Sequence, residues 1–496
     1  MPDKRIDHIL AGHAASRPDS PAISFAGTTI SYAELESQVA SMAGWLVRSG
    51  IAAGDRIAIY ARNHPESFIT LFAASRIGAM MVPLNWRLSE EELAWQMQDA
   101  APSVLLHGAD FADMAARLAQ AVSSRTIAIG DDLAAARKDY VLAAEDGGGA
   151  AHAELLLVYT SGTTGRPKGA VLDQAAMHAN AAMSHHAYAM AADDRVLNIL
   201  PLFHVGGLNI QPLPALFLGA HVMIQDGFDP AQVLRTIEDA AVTQVTVVPT
   251  ILGALLANDE WERADLSSLR MMAIGSTDVP VALIEAVHQR GVPVVQVYGA
   301  TETSPTAIYQ TAEIAAATVG SIGRAGNACE IRITGPDGGE LPDGEVGEIW
   351  VRGANILTRY WNNAAASTES ITDGWFHTGD MARKDDDGLY WFADRLKHVI
   401  ISGGENIYPA ELERVLADFA GLTEFAIVGR ENSRWGQVPV VVAVRSDNSL
   451  TAEDVLAHFT GRIASFKRPK DVVFVEALPR NALGKIVAGD VRALLA

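Results

Sequence analysis

Ser31 followed three residues later by Glu34 is the Ser-x-x-Glu signature of a helix start, and Leu35, Val39, Met42 and Leu46 then recur at helical spacing until Gly50. The spacing predicts a helix with one buried face. A short apolar run over 56–60 follows, then a second helical pattern over 65–77, then the run 80–83. The same rhythm returns in the runs 242–248 and 269–274, the helical pattern 281–288 and the run 292–297, each apolar run closing on a Gly, Pro, Ser or Thr loop. Near-continuous apolar strands between helices predict an α/β fold with mostly parallel sheets covered on both faces, ligands being held by the loops at the strand ends.

From about residue 331 the pattern changes to short alternating strands and tight turns, including Pro336-Asp337-Gly338-Gly339 and Asp385-Asp386-Asp387-Gly388, which predicts an antiparallel portion. After about 397 a small α+β unit begins: Pro409 opens a helix with Leu412, Val415, Leu416 and Phe419 on one face, followed by strand-like runs over 424–428 and 438–444. The run Gly147-Gly148-Gly149 reads as a flexible surface turn inside one domain, because an apolar strand pattern resumes at 155–159.

The chain has 496 residues, enough for two to four compact units at roughly 100–200 residues each. Its net charge of −21, with no basic tract, argues against a nucleic-acid partner, since backbone phosphates demand a positive surface. The most apolar stretch, 196–224, is broken by three prolines, His204, Gly206 and Gly207, so no membrane insertion is expected. A single cysteine, Cys329, excludes an internal disulfide and reads as a packed thiol in a strand. The first residues hold no signal-like apolar run, and the final Leu-Leu-Ala is not a peroxisomal tail, so the expected location is cytoplasmic.

Candidate chemistry concentrates in Tyr-Thr-Ser-Gly-Thr-Thr-Gly-Arg-Pro-Lys-Gly-Ala over 159–170, where three glycines and four hydroxyls sit between two apolar strands. Glycine lets successive N–H groups converge on an anion, and the hydroxyls and Lys168 add donors and charge. The spacing is not that of a Walker A loop. The segment resembles the phosphate loop of the adenylate-forming superfamily, which contains acyl-CoA synthetases, nonribosomal peptide synthetase adenylation domains and luciferase. Four further motifs resemble the family's in the family's order: Tyr298-Gly-Ala-Thr-Glu-Thr303, Phe376-His-Thr-Gly-Asp380, Asp394-Arg-Leu-Lys397 with Ile401-Ser-Gly-Gly-Glu405, and Pro479-Arg-Asn-Ala-Leu-Gly-Lys485.

The resemblance implies roles residue by residue. Thr160, Ser161, Gly162, Thr163, Thr164, Gly165 and Lys168 would hold the ATP phosphates, and Glu302, beside Thr301, would hold Mg2+. Tyr298, Gly299, Ala300, Asp380 and Arg395 would complete the nucleotide site, the last two at the ribose. Gly275, Ser276 and Thr277 stand where the family usually carries an adenine-side Gly-Gly-Ala-Pro. His204, Val205, Gly206, Gly207, Thr250 and Ala300 would form the acyl pocket, with His204 at its mouth and the glycines leaving room for a bulky chain. Neither His185 nor His186 has metal-ligand spacing with carboxylates, and both read as a helix face. Lys485 would neutralise the reacting carboxylate and α-phosphate. Ser402, Gly403 and Gly404 would lie on the coenzyme A side.

The resemblance also implies an N-terminal domain over 1–394 with several subdomains, a hinge over 395–397 acting at Lys397, and a small mobile C-terminal domain over 398–496. The implied reaction is ATP-dependent activation of a small carboxylic acid as acyl-AMP, then transfer to coenzyme A. Loading of a carrier protein is the competing reading. The segments expected to line the pocket, 205–211, 250–253, 275–277 and Ala300, contain no Lys or Arg, which predicts a monocarboxylic acid because a second carboxylate would lie unpaired. Likeness to feruloyl-CoA synthetase-type enzymes points to a hydroxycinnamate, with a medium-chain fatty acid as the alternative. Nothing in the sequence specifies an oligomeric state.

Overall fold

The computed structural model describes residues 4–160, 167–276, 279–402, 405–432, 435–447, 449–463, 465, 467–481 and 484–495. The chain divides into two compact units, Met1–Ile331 with Val351–His377, and Arg332–Trp350 with Thr378–Ala496.

In the first unit, the Ser31 hydroxyl accepts from the Glu34 backbone N–H at 3.2 Å while the Glu34 carboxylate accepts from Ser31 N–H at 2.7 Å, opening the helix Tyr32–Arg48 as its sequence predicts. Tyr32, Leu35, Val39, Met42 and Leu46 make its fully buried stripe. The next helix, Glu66–Ile77, is buried along its whole length because it packs against both the preceding helix and the strand Met80–Pro83. Its Arg76 is fully buried, and its guanidinium is matched by Asp7 at 3.0 Å and Glu36 at 2.8 Å. Removing either acid would leave part of that buried guanidinium without its acceptor.

Two sheets carry the unit. One has nine strands, and its central members are parallel: Val294–Tyr298, Met271–Gly275, Gln244–Val247, Arg195–Asn198, His221–Ile224 and Pro21–Phe25, in that spatial order. The other has seven, with Glu154–Thr160, Met80–Pro83, Arg56–Tyr60, Val104–His107 and Arg125–Ala128 parallel. At its edge, Lys168–Asp173 and then the two-residue strand Arg359–Tyr360 add antiparallel. The parallel α/β expectation is met. Asn63, which follows a strand of the seven-stranded sheet, ties the two sheets together. Its Nδ2 donates to the carbonyls of Leu200 at 3.0 Å and Gln225 at 2.9 Å, and its Oδ1 accepts from Leu202 N–H at 2.9 Å.

The glycine run departs from its expected looseness. A Cβ on Gly149 would lie 2.3 Å from the Ser75 carbonyl and one on Gly147 2.6 Å from that of Arg76, so these glycines allow close packing against the end of the 66–77 helix. His185 and His186 lie on the helix Gln174–Ala187, facing the Pro214 carbonyl and the Tyr309 hydroxyl. The Cys329 thiol donates to the Ala307 carbonyl at 3.3 Å, and burial pushes it up to about 12, the inert thiol the sequence suggests.

In the second unit, Asp380 to Lys384 pair antiparallel with Tyr390–Arg395. The turn at 385–388 closes with Gly388 N–H donating to the Asp385 carbonyl at 2.9 Å. Leu422–Asn432 and Gly436–Arg445 form a long hairpin, with Asp471–Phe474 parallel beside it and the helix Pro409–Leu416 packed on the first of these strands. Among the described residues no helix is long and apolar enough to cross a membrane.

Candidate active site

Adjacent parallel strands of the nine-stranded sheet deliver most of the proposed nucleotide and acyl residues to one edge. Val294–Tyr298 leads into Gly299, Ala300 and Glu302. Met271–Gly275 leads into Ser276, Gln244–Val247 into Thr250, and Arg195–Asn198 into His204. All of these loops leave the carboxyl ends of their strands, where open α/β sheets bind ligands.

Glu302 sits in a single tight turn, Thr301–Thr303, whose shape is dictated locally. A Cβ on Gly299 would overlap the Pro305 carbonyl oxygen, so only glycine lets the chain fold back there. The buried Thr303 hydroxyl accepts from Ala300 N–H at 2.9 Å and approaches the Pro305 carbonyl at 2.9 Å. The Glu302 carbonyl accepts from Leu357 N–H at 2.8 Å. Its Oε1 accepts from the Tyr360 hydroxyl at 2.9 Å and, more weakly, from Thr160 Oγ1 at 3.4 Å.

Lys168 and Thr160 are cross-strand neighbours, and Lys168 Nζ lies 5.1 Å from the centre of the Tyr360 ring. Ser161, Gly162, Thr163, Thr164, Gly165 and Thr277 lie outside the described residues. Below the loop, the Tyr159 hydroxyl donates to Asp99 at 2.7 Å, and burial with the Asp99 carboxylate keeps that phenol protonated.

Glu302 suits a hard divalent cation. Among the described residues no group of three or more His, Cys, Asp or Glu could cage a metal alone. A lone carboxylate among hydroxyls and a lysine therefore fits Mg2+ whose remaining ligands are triphosphate oxygens and water.

On the acyl side, His204 precedes the helix Val205–Asn209, its ring 4.5 Å from that of Phe203. Burial, with Arg87 adding repulsion, lowers its imidazole to about 4, so it is neutral at ordinary pH. Val205 is buried and Thr250 exposed. The paired glycines behave differently. A Cβ on Gly207 would lie 2.2 Å from the Pro201 carbonyl oxygen, whereas one on Gly206 meets only Ile210 Cδ1 at 3.8 Å. Gly275 is likewise forced, by the Val297 carbonyl 2.3 Å away, and Ser276 is held at φ +82°. Tyr298 is buried at its strand end.

Buried amides, which the sequence did not single out, join these pieces. Asn180 Nδ2 donates to the Asn209 carbonyl at 2.6 Å and its Oδ1 accepts from Thr306 N–H at 3.2 Å, while Asn209 Nδ2 reaches the Ser304 carbonyl at 3.3 Å. Asn355 Nδ2 spans the carbonyls of Thr303 and Thr306. Tyr360 was also missed. An Arg-Tyr-Trp triplet in a two-residue strand carries no pattern beyond that of core, and only the folded chain brings it to Glu302.

In the second unit, Asp380 and Arg395 are cross-strand partners, with Arg395 Nε 3.0 Å from Asp380 Oδ1. Asp380 is buried, and the Gly379 N–H beside it donates to Glu348 at 2.8 Å. Asp394 accepts from Arg395 N–H at 2.6 Å and Ala410 N–H at 2.7 Å, fastening the start of the 409–416 helix. Lys397 lies in the turn Leu396–His398, its side chain outside the described part. Ser402 pairs with Gly436 in the sheet, and Gly403 and Gly404 lie outside the described residues. Lys485 is exposed, its N–H donating to Asn481 Oδ1 at 3.0 Å in a turn where Gly484 takes φ +75°.

The chain matches known proteins over most of its length. The model of the AMP-binding enzymes matches residues 10–361, and that of the AMP-binding enzyme C-terminal domain matches 411–485. The chain is 44% identical to an indoleacetate–CoA ligase of Aromatoleum aromaticum, covering 98% of this chain and 97% of that protein. It is 40% identical to a feruloyl-CoA synthase of Amycolatopsis, covering 97% and 96%. Among solved structures, ATP-bound MatB from Rhodopseudomonas palustris superposes with a TM-score of 0.90 at 29% identity, covering 98% of each chain. The o-succinylbenzoate CoA synthetase of Bacillus subtilis, in complex with its acyl-adenylate intermediate, does so at 0.87 and 30%, covering 98% of this chain and 97% of that one. With both family models in order and full-length identity to CoA ligases, the chain belongs to the AMP-binding enzymes, the adenylate-forming acid–thiol ligases.

Proposed function

We propose that this AMP-forming acid–thiol ligase, which uses ATP, Mg2+ and coenzyme A, takes an aryl-bearing monocarboxylic acid, with a hydroxycinnamate such as ferulate as first choice. The observation that carries the reading is that the segments expected to line the acyl side, 205–211, 250–253, 275–277 and Ala300, hold no Lys or Arg, and that His204 is neutral. A second carboxylate there would meet no cation within these segments and would depend for a partner on Arg87, whose charge reaches His204. The relatives named for ferulate and indoleacetate, each an aromatic ring with one carboxylate, support the same class. A medium-chain fatty acid is the second reading, on the same apolar lining.

The reaction has two halves. The carboxylate displaces pyrophosphate from the α-phosphate of ATP, and the thiol of coenzyme A then displaces AMP to give the thioester. In this proposal the 160–168 loop holds the triphosphate, Glu302 holds Mg2+, and Asp380 and Arg395 hold the ribose. Mg2+, when bound, offsets negative charge on the phosphates. Gly275, Ser276, Tyr298 and Ala300 shape the adenine side, and His204, Val205 and Gly206 the acyl side. Lys485 serves the first half-reaction, and Ser402 with Gly403 and Gly404 the coenzyme A side. A hinge at Lys397 between 1–394 and 398–496 switches the chain between halves.

The test is a panel of ferulate, indoleacetate, octanoate and malonate, following pyrophosphate, AMP and thioester with and without coenzyme A. An aryl acid is expected to exceed octanoate by about tenfold or more in kcat/KM, the scale that pocket fit supplies. A preference for malonate refutes the uncharged-pocket argument, and pyrophosphate release without thioester formation moves the reading to a carrier-protein loader.

A further inference from the structure

We infer that Tyr360 is a positioning residue for the adenylation step: it turns the Glu302 carboxylate so that Oε1 is occupied and Oε2 faces the cation. The inference rests on the assignment of Glu302 to Mg2+ and goes beyond it, because what the geometry adds is how that carboxylate is aimed.

Oε1 of Glu302 accepts from the Tyr360 hydroxyl at 2.9 Å and from Thr160 Oγ1 at 3.4 Å, and no described residue donates to Oε2. A carboxylate on a free rotor presents either oxygen, or both, to a cation. One with a single oxygen anchored presents the other in one orientation, and the anchoring bond is charge-assisted. The Glu302 carboxylate can only accept, so in this bond the Tyr360 hydroxyl is the donor.

The tyrosine is itself well fixed. It is 6% exposed, pairs with Ala170 two residues beyond Lys168, and its backbone N–H donates to Ser367 Oγ at 2.9 Å. The same segment grips Glu302 a second time, Leu357 N–H donating to its carbonyl at 2.8 Å. The ring meanwhile lies 5.1 Å from Lys168 Nζ. Hydroxyl and ring thus serve different partners: the hydroxyl aims the acid, and the ring shelves the phosphate-loop lysine. Orientation held by a second layer of hydrogen bonds is a known determinant of metal affinity, with losses of about 10- to 100-fold when such a partner is removed.

Tyr360→Phe keeps the ring and deletes only the donor. The expected result is a rise of about 10- to 100-fold in the Mg2+ concentration that half-saturates pyrophosphate release, with thioester formation from supplied acyl-AMP unchanged. Mn2+ binding in the presence of a non-hydrolysable ATP analogue, read by electron paramagnetic resonance, should weaken by a similar factor and needs no acid substrate. Tyr360→Leu, which removes the ring as well, should add a loss of affinity for metal-free ATP.

Glu302→Gln run alongside separates the premises. If Glu302→Gln shifts the metal dependence and Tyr360→Phe does not, the inference about Tyr360 is overturned while Glu302 keeps its role. If neither shifts it, the metal assignment itself falls. A Tyr360→Phe protein impaired equally in both half-reactions, with lowered Tm and unchanged Mn2+ affinity, also overturns it. Should that variant yield no folded protein, fluorotyrosine at 360 retains ring and hydroxyl and changes donor strength alone, and a metal affinity independent of fluorination refutes the role.

Discussion

Gly206 and Gly207 are adjacent and identical in the sequence, yet an alanine at each should have opposite consequences. At Gly207 the added Cβ would stand 2.2 Å from the Pro201 carbonyl oxygen, 2.7 Å from the Pro201 carbonyl carbon and 2.9 Å from the Leu200 carbonyl oxygen. All three are backbone atoms, so no side chain can rotate away, and the nearest approach falls about 1 Å short of ordinary contact. The helix Val205–Asn209 must therefore move by roughly that amount, or the 200–201 backbone must. Overpacking of this kind costs about 1–3 kcal/mol, a loss of a few degrees in Tm. The movement also shifts His204, which begins the helix, and Asn209, which ends it bonded to Ser304. A misplacement of about 1 Å can cost on the order of 100-fold in rate. At Gly206 only Ile210 Cδ1 comes within 4 Å, so Gly206→Ala should leave Tm level or raised, since alanine is better than glycine inside a helix by about 1 kcal/mol. The assay is thermal unfolding of both variants, with kcat/KM for the acid and KM for ATP. Gly207→Ala should lose acid activation by about 10- to 100-fold with KM for ATP little changed. Equal Tm values for the two variants, or greater damage from Gly206→Ala, would refute the reasoning.

Three further expectations follow from single residues. Lys485→Ala should slow pyrophosphate release by on the order of 100- to 1,000-fold while thioester formation from supplied acyl-AMP stays near normal, and an unimpaired first step removes Lys485 from the catalytic set. His204, lowered from an ordinary 6.5 to about 4, gives stability that is complete above pH 6.5 and is lost as pH falls toward 4, because the unfolded chain takes up the proton first. Wild-type Tm should therefore fall more steeply over that window than that of His204→Gln, and parallel curves count against the buried neutral imidazole. Ser276, at φ +82°, occupies backbone that glycine accepts freely, so Ser276→Gly should stabilise by about 1 kcal/mol; an unchanged or lowered Tm shows that the serine is not strained.

How much the sequence revealed depended on whether a residue's role was local. The Ser31–Glu34 cap, the 281–288 helix and the alternation of strand and helix are written in neighbours three or four positions apart, and each is found where expected. The strands that flank the Gly-Ser-Thr loop, ending at Thr160 and starting at Lys168, were legible from their apolar runs, whereas the loop's assignment rested on its resemblance to a family pattern, since a Ser/Gly/Thr hairpin read singly is most often only a turn. Tyr360 was not legible, since its partner Glu302 is 58 residues away and its strand is two residues long. The amide bridge from Asn180 through Asn209 to Ser304 was hidden because a buried asparagine and a solvated one look alike until the fold sets the distances. The glycines at 147 and 149 misled in the opposite direction: their composition suggested looseness, but carbonyls of a neighbouring helix occupy the space their side chains would need.

Asn63, whose single amide clasps the loops at Leu200, Leu202 and Gln225, has a consequence for how activity is acquired. Glu302 springs from the nine-stranded sheet, while Tyr360, Thr160 and Lys168 belong to the seven-stranded one, so on the proposed assignment neither sheet alone carries the nucleotide-holding residues. During synthesis the first sheet to consolidate would hold only part of that set, and the rest would join it when the two sheets lock together. Nucleotide, once bound across both sheets, would act as a second clasp beside Asn63, so resistance to proteolysis should rise in both sheets at once and with the same dependence on nucleotide concentration.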